Sequence, residues 1–127
     1  MSGHIWLAVA AGGAIGAMAR HGVSRTAMQF LGPNFPWGTL CVNVAGSFIM
    51  GLVIVWLSAK EPANPAIRAF LTVGLLGAFT TFSTFSLDVV VLYRDRTLML
   101  AGAYLVASVI LSVSGLLAGL ALGRQFT

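Results

Sequence analysis

The sequence predicts an all-α membrane protein, one domain over residues 1–127 built of four transmembrane helices with the third broken at mid-membrane. Three observations carry that expectation. Of 127 residues 58% are hydrophobic and 8% charged, and the mean hydropathy of +0.95 lies far outside the range of soluble domains. The apolar residues gather into runs long enough to cross about 30 Å of hydrocarbon, parted by short polar turns. One of those runs contains Gly77-Ala78-Phe79-Thr80-Thr81-Phe82-Ser83-Thr84-Phe85-Ser86, where glycine and hydroxyls invite the helix to open. Open backbone in hydrocarbon is tolerated only where protein or a water-filled cavity supplies partners, so such a break marks an ion or substrate site.

The first span runs from Ile5 to about Phe30. It opens without a basic leader and outlasts the apolar core of a signal peptide, so no cleavage is expected. Its second half turns amphipathic with Arg20, His21, Ser24, Arg25 and Gln29, which places that end at the interface. Pro33-Asn34-Phe35-Pro36 is a turn, and Trp37 anchors a second span reaching Leu57. Lys60 to Pro65 is a second turn, the third span covers about Ile67 to Tyr93, Arg94-Asp95-Arg96 is a tight connection, and the fourth runs from Leu98 to Leu122. Connections this short require an up-down-up-down arrangement.

Both termini then lie on one side. Arg20, Arg25, Arg94 and Arg96 fall on one face and Lys60, Arg68 and Arg124 on the other, four against three. Because orientation follows lysine and arginine asymmetry, a near-tie predicts that copies insert both ways, which admits an antiparallel homodimer, unless one or two arginines near the tips dominate. Small residues at four-residue spacing, Gly12 and Gly16, then Gly115, Gly119 and Gly123, suit close helix contact within one subunit or across a dimer. The single cysteine, Cys41, excludes an intrachain disulfide and reads as a small packing residue. The net charge of +4 is scattered at span ends, as headgroups require, and no nucleic-acid face is expected.

Polar stripes run through the apolar spans. Thr39, Asn43 and Ser47 share one face of the second helix, and Tyr104, Ser108 and Ser112 one face of the fourth. An isolated serine or threonine bonds back to its own helix, but the amide of Asn43 needs another partner, a neighbouring helix or a permeating species. Asp88 is the only acid within a span, and its position permits a pair with Arg20. The lining is otherwise made of donors. The ring edges of Phe82 and Phe85, three residues apart, add a weak positive field that favours an anion without trapping it. Carbonyls released near Gly77 and Thr80 are acceptors suited to a small hard cation such as sodium.

Three segments in order carry a family resemblance: Gly12-Gly13-Ala14-Ile15-Gly16-Ala17-Met18-Ala19-Arg20, Gly38-Thr39-Leu40-Cys41-Val42-Asn43-Val44-Ala45-Gly46-Ser47-Phe48, and the run with its Thr-Thr-Phe-Ser-Thr-Phe core. Along nearly its whole length the chain resembles the Fluc, or CrcB-type, fluoride channels. The resemblance implies a dual-topology antiparallel homodimer in the bacterial inner membrane with two fluoride pathways and a central structural sodium ion. By analogy Asn43, Phe82 and Phe85 line the path, Thr39, Tyr104, Ser108 and Ser112 form a polar track, and main-chain carbonyls of Gly77 and Thr80 bind sodium. Arg20 matches a vestibule arginine that attracts anions. The implied physiology is passive: HF enters from acid surroundings, dissociates in the cytoplasm, and the trapped anion leaves down the membrane potential.

Two other readings fit a small four-span protein. A proton-coupled multidrug-type exporter needs an intramembrane carboxylate early in the chain, and the first span has none. A non-transporting scaffold would use the stripes only as glue between helices. An enzyme is not expected, because His4 and His21 lie near span ends and Ser83 has no evident base.

Overall fold

A computed structural model describes residues 3–127, and all regular structure in them is helical. The first helix, α1, spans Gly3–Leu31. It stops at Gly32, whose φ of +80° is the left-handed conformation glycine adopts after a helix. The second helix, α2, covers Trp37–Ala59. Asn64 then opens the next element by accepting from the N–H groups of Ala66 and Ile67 at 2.8 and 3.3 Å, with Pro65 at the first position, where its missing N–H costs nothing. That element is compound: α3 (Pro65–Arg68) widens into a π-helical stretch (Ala69–Leu76) and returns to α geometry in α4 (Gly77–Phe79). The backbone is extended at Thr80, and helix resumes as α5 (Ser83–Asp95). Thr97 caps the last helix, α6 (Leu98–Gln125), accepting from Leu100 N–H at 3.0 Å.

Among the described residues three stretches are long and apolar enough to cross a membrane: Trp37–Ala59, Pro65–Asp95 and Leu98–Gln125. The sequence led us to expect four. The difference lies in α1, which has the length, at 29 residues, but is diluted by His4, Arg20, His21, Arg25 and several glycines.

Glycines set which helices touch. A Cβ on Gly12 would stand 2.8 Å from the Leu75 nitrogen, and one on Gly74 would stand 2.9 Å from the Val9 carbonyl, so α1 and the π-helical stretch meet backbone to backbone. A Cβ on Gly51 would lie 2.7 Å from the Leu120 nitrogen, and Gly119 rests on the Phe48 carbonyl, locking α2 to α6 in the same way. Both glycine stripes therefore pack within the chain. A small buried cluster of Phe85, Leu92, Ala101 and Tyr104, flanked by Phe35 and Leu40, joins α5 to α6 and α2. Large apolar side chains such as Trp6, Met18, Met99 and Val113 stay exposed, a surface suited to hydrocarbon or other helices. Cys41 is exposed as well.

Candidate functional site: the groove beside the interrupted helix

Every hydrogen-bonding group freed by a helix break needs a new partner, and the chain supplies most of them from distant segments. Thr80 ends α4 on its own, its N–H and its Oγ1 both donating to the Leu76 carbonyl at 3.1 and 2.9 Å. The next residue is held by α2. Asn43 Oδ1 accepts from Thr81 N–H at 2.8 Å, while Asn43 Nδ2 donates to the Thr81 carbonyl at 3.0 Å. Asparagine is suited to this position because one planar amide satisfies both polar groups of a single residue. Thr81 Oγ1 in turn accepts from Thr84 N–H at 3.2 Å, starting α5. From the other side Arg20 Nε donates to the Ala78 carbonyl at 3.0 Å. Among the described residues, no hydrogen bond reaches the carbonyls of Gly77 or Thr80.

The break opens on a groove of about 340 Å³ between α2, α5 and α6, whose walls include Asn43, Ser47, Thr80, Thr81, Phe82, Phe85, Ser108 and Ser112. Met50, Val109, Val113 and Leu116 continue it as an apolar channel along the helices. The two phenylalanine rings sit 5.6 Å apart at 47°, yet their surroundings differ: Phe82 is 78% exposed and Phe85 only 7%. Phe85 packs on Tyr104, ring centroids 5.3 Å apart. Tyr104 is fully buried and donates its hydroxyl to Asp88 Oδ2 at 3.0 Å.

Apart from the capping hydroxyls of Thr81 and Thr97, the hydroxyls differ in how they are satisfied. Thr26, Thr72, Thr80 and Ser86 each donate to the carbonyl one turn earlier, the inexpensive arrangement for a helical hydroxyl. Ser108 does not, and its Oγ is buried without a hydrogen-bond partner. An unpaired buried hydroxyl destabilises a fold, so Ser108→Ala is expected to leave the thermal midpoint of the purified protein unchanged or raise it. A clear fall in that midpoint would show that the hydroxyl is paired in the folded state.

The groove thus brings together Asn43, Phe82, Phe85, Ser108 and Ser112, residues widely separated in sequence. Thr39 and Tyr104 are buried beside it instead of forming its wall. Arg20 stands behind the break, on the Ala78 carbonyl, and Gly77 is exposed. The Arg20–Asp88 pair that the sequence permits without requiring is not formed: Arg20 donates to a freed carbonyl and Asp88 accepts from Tyr104. Thr81 was not singled out from the sequence. A threonine three residues ahead of an amide at a helix start is a capping pattern, and that spacing to Thr84 was the available signal.

Chemically the groove is a set of neutral donors in apolar walls. Asn43 Nδ2 keeps one of its two N–H groups free of the Thr81 carbonyl, and the hydroxyls of Ser47, Ser108 and Ser112 and two ring edges add to it. No charged residue lines it, and no cluster of His, Cys, Asp or Glu able to hold a metal occurs among the described residues. Such a lining can hold a small anion weakly enough to release it.

Comparison with known proteins agrees in extent with this arrangement. Residues 7–120 match the family model described as CrcB-like protein, Camphor Resistance (CrcB). A protein of Rhodospirillum centenum named fluoride-specific ion channel FluC is 54% identical over 93% of this chain and 94% of its own length. The FluC proteins of Hyphomonas neptunium and Agrobacterium fabrum are 50% and 49% identical, covering 94% and 92% of this chain and 95% and 94% of their own. With the matched region running from the start of α1 to near the end of α6, the chain belongs to the CrcB family.

Proposed function

We propose that this protein is a fluoride-selective channel for passive efflux of cytoplasmic fluoride, conferring fluoride resistance, and not an enzyme. The observation that carries the reading is the groove at the helix break, an uncharged row of donors in a chain about half identical to proteins named fluoride-specific ion channels. Fluoride moves along Asn43, Phe82, Phe85, Ser108 and Ser112. Thr39 and Tyr104 support the row from behind, and Arg20, held on the Ala78 carbonyl outside the groove, adds the positive charge of an aqueous vestibule. The chain acts as one four-span unit in the bacterial inner membrane, α1 being the fourth span, with the break at mid-membrane.

The working form in this reading is an antiparallel dual-topology homodimer. The near-tie of basic residues supports it, as does the exposure of Phe82 and Gly77, groups that a second copy would cover. A sodium ion belongs between the copies. The carbonyls of Gly77 and Thr80, hard oxygen ligands without hydrogen-bond partners among the described residues, fit such an ion, which would tie the two broken helices together.

The test is fluoride release from liposomes holding the purified protein. Rapid fluoride flux without a proton gradient, and little chloride flux, is the expected outcome. Flux that requires a proton gradient would point to an exporter, and none in well-folded protein to a scaffold. Replacing Phe82 or Phe85 with isoleucine is expected to suppress flux at least about tenfold while the thermal midpoint of Phe82→Ile stays near wild type, since Phe82 is exposed. Wild-type flux in both variants would return the rings to packing.

A further inference from the structure

Arg20 is half-buried and its Nε donates to the Ala78 carbonyl at 3.0 Å, a contact linking residues 58 apart in sequence. Gly16, one turn earlier on α1, brings the two backbones close, because a Cβ there would lie 3.1 Å from Ala78 Cβ. The guanidinium is therefore fixed against the end of α4 and is not free to swing into the groove, whose walls exclude it. Of the carbonyls at the break, the one it occupies lies between the unpartnered carbonyls of Gly77 and Thr80 in the chain.

We infer that Arg20 is a positioning residue that sets which cation those carbonyls accept: it removes the Ala78 oxygen from the available ligands and restricts the site to a monovalent ion. The inference rests on reading Gly77 and Thr80 as a cation site. Two physical effects act together. A divalent ion such as calcium takes six to eight oxygens, and withdrawing a carbonyl lowers the number that the break can offer. The fixed charge also repels any cation, a divalent one twice as strongly. The repulsion scales with the charge of the ion, so one fixed unit charge weakens a divalent ion more than a monovalent one. No acid among the described residues pairs with Arg20 to cancel that charge, since Asp88 is engaged with Tyr104 and the one ion pair joins Arg68 to Glu61.

Thermal unfolding and terbium luminescence of the purified full chain, titrated with sodium or calcium in a potassium-free, choline-based buffer, test the inference. Wild type is expected to gain stability with sodium and not with calcium, and to give no sensitised terbium emission. Arg20→Gln is expected to gain calcium stabilisation and terbium emission, its apparent calcium affinity rising at least about tenfold. Arg20→Lys, which keeps the charge, should stay closed to both. A merely structural arginine would lower the midpoint of either variant without changing which ion raises it. Should Arg20→Gln not fold, wild type still decides, because calcium stabilising it as well as sodium overturns the inference. A sodium response with Arg20→Gln unchanged in ion preference also overturns it while leaving the cation site intact. No sodium response in wild type would remove the cation site itself, and the inference with it.

Discussion

Asn43→Ala is expected to lose fluoride efflux almost entirely, a fall of at least about a hundredfold in the liposome assay, and to unfold earlier. Alanine removes both the acceptor of Thr81 N–H and the donor to its carbonyl. Two half-buried backbone groups are then left without partners, which costs about 2–4 kcal/mol together. Asn43→Asp separates the two contributions. Aspartate still accepts from Thr81 N–H but cannot donate to the carbonyl, and it puts a negative charge in a groove that has none. Its stability should recover in part while efflux stays absent. If Asn43→Ala conducted like wild type, neither the break nor the path would depend on this side chain.

The second large effect concerns Gly119, whose position against the Phe48 carbonyl leaves no space for a side chain. Gly119→Val is expected to force α6 away from α2 and to destabilise the chain by about 3 kcal/mol, the upper end of overpacking costs, because the obstacle is backbone and cannot change rotamer. Purified protein should show a fall in thermal midpoint and a rise in aggregated material on size exclusion. Gly102→Ala is the matching control. Nothing lies within 4 Å of a Cβ at that position, and alanine is the better helix former, so stability should hold or rise. Equal behaviour of the two variants would mean that the α2–α6 contact is not close in the folded protein.

Much of this was legible in the sequence for a definite reason. Long apolar runs announce helices, and turns such as Pro33 to Pro36 announce their ends, because both signals are local. The sequence marks the run from Gly77 to Ser86 as prone to open, and in the structure residues 80–82 lie outside the helical elements. The exact place of the break depends on Asn43 and Arg20, which reach it from 38 and 58 residues away, and no local pattern encodes that. The π-helical stretch was invisible for the same reason, since its residues are ordinary apolar ones and it lies where α1 packs on it through Gly12 and Gly74. Of the two stripes, Asn43, Ser47, Ser108 and Ser112 line the groove while Thr39 and Tyr104 do not, and the partners of Tyr104 and Arg20 follow from how the helices pack.

The two side chains that hold the break also have a place in time. Arg20 and Asn43 both precede it in the chain, so a ribosome delivers them to the membrane before residues 80–82 emerge. The exposed polar backbone of that segment therefore never has to wait for a later helix to receive it. Reversing the order, as in a circular permutant that begins at residue 60, would synthesise the open turn first and its hydrogen-bond partners last. Such a chain would hold the same contacts once complete, but it would insert through an intermediate whose amides at residues 80–82 are unpaired.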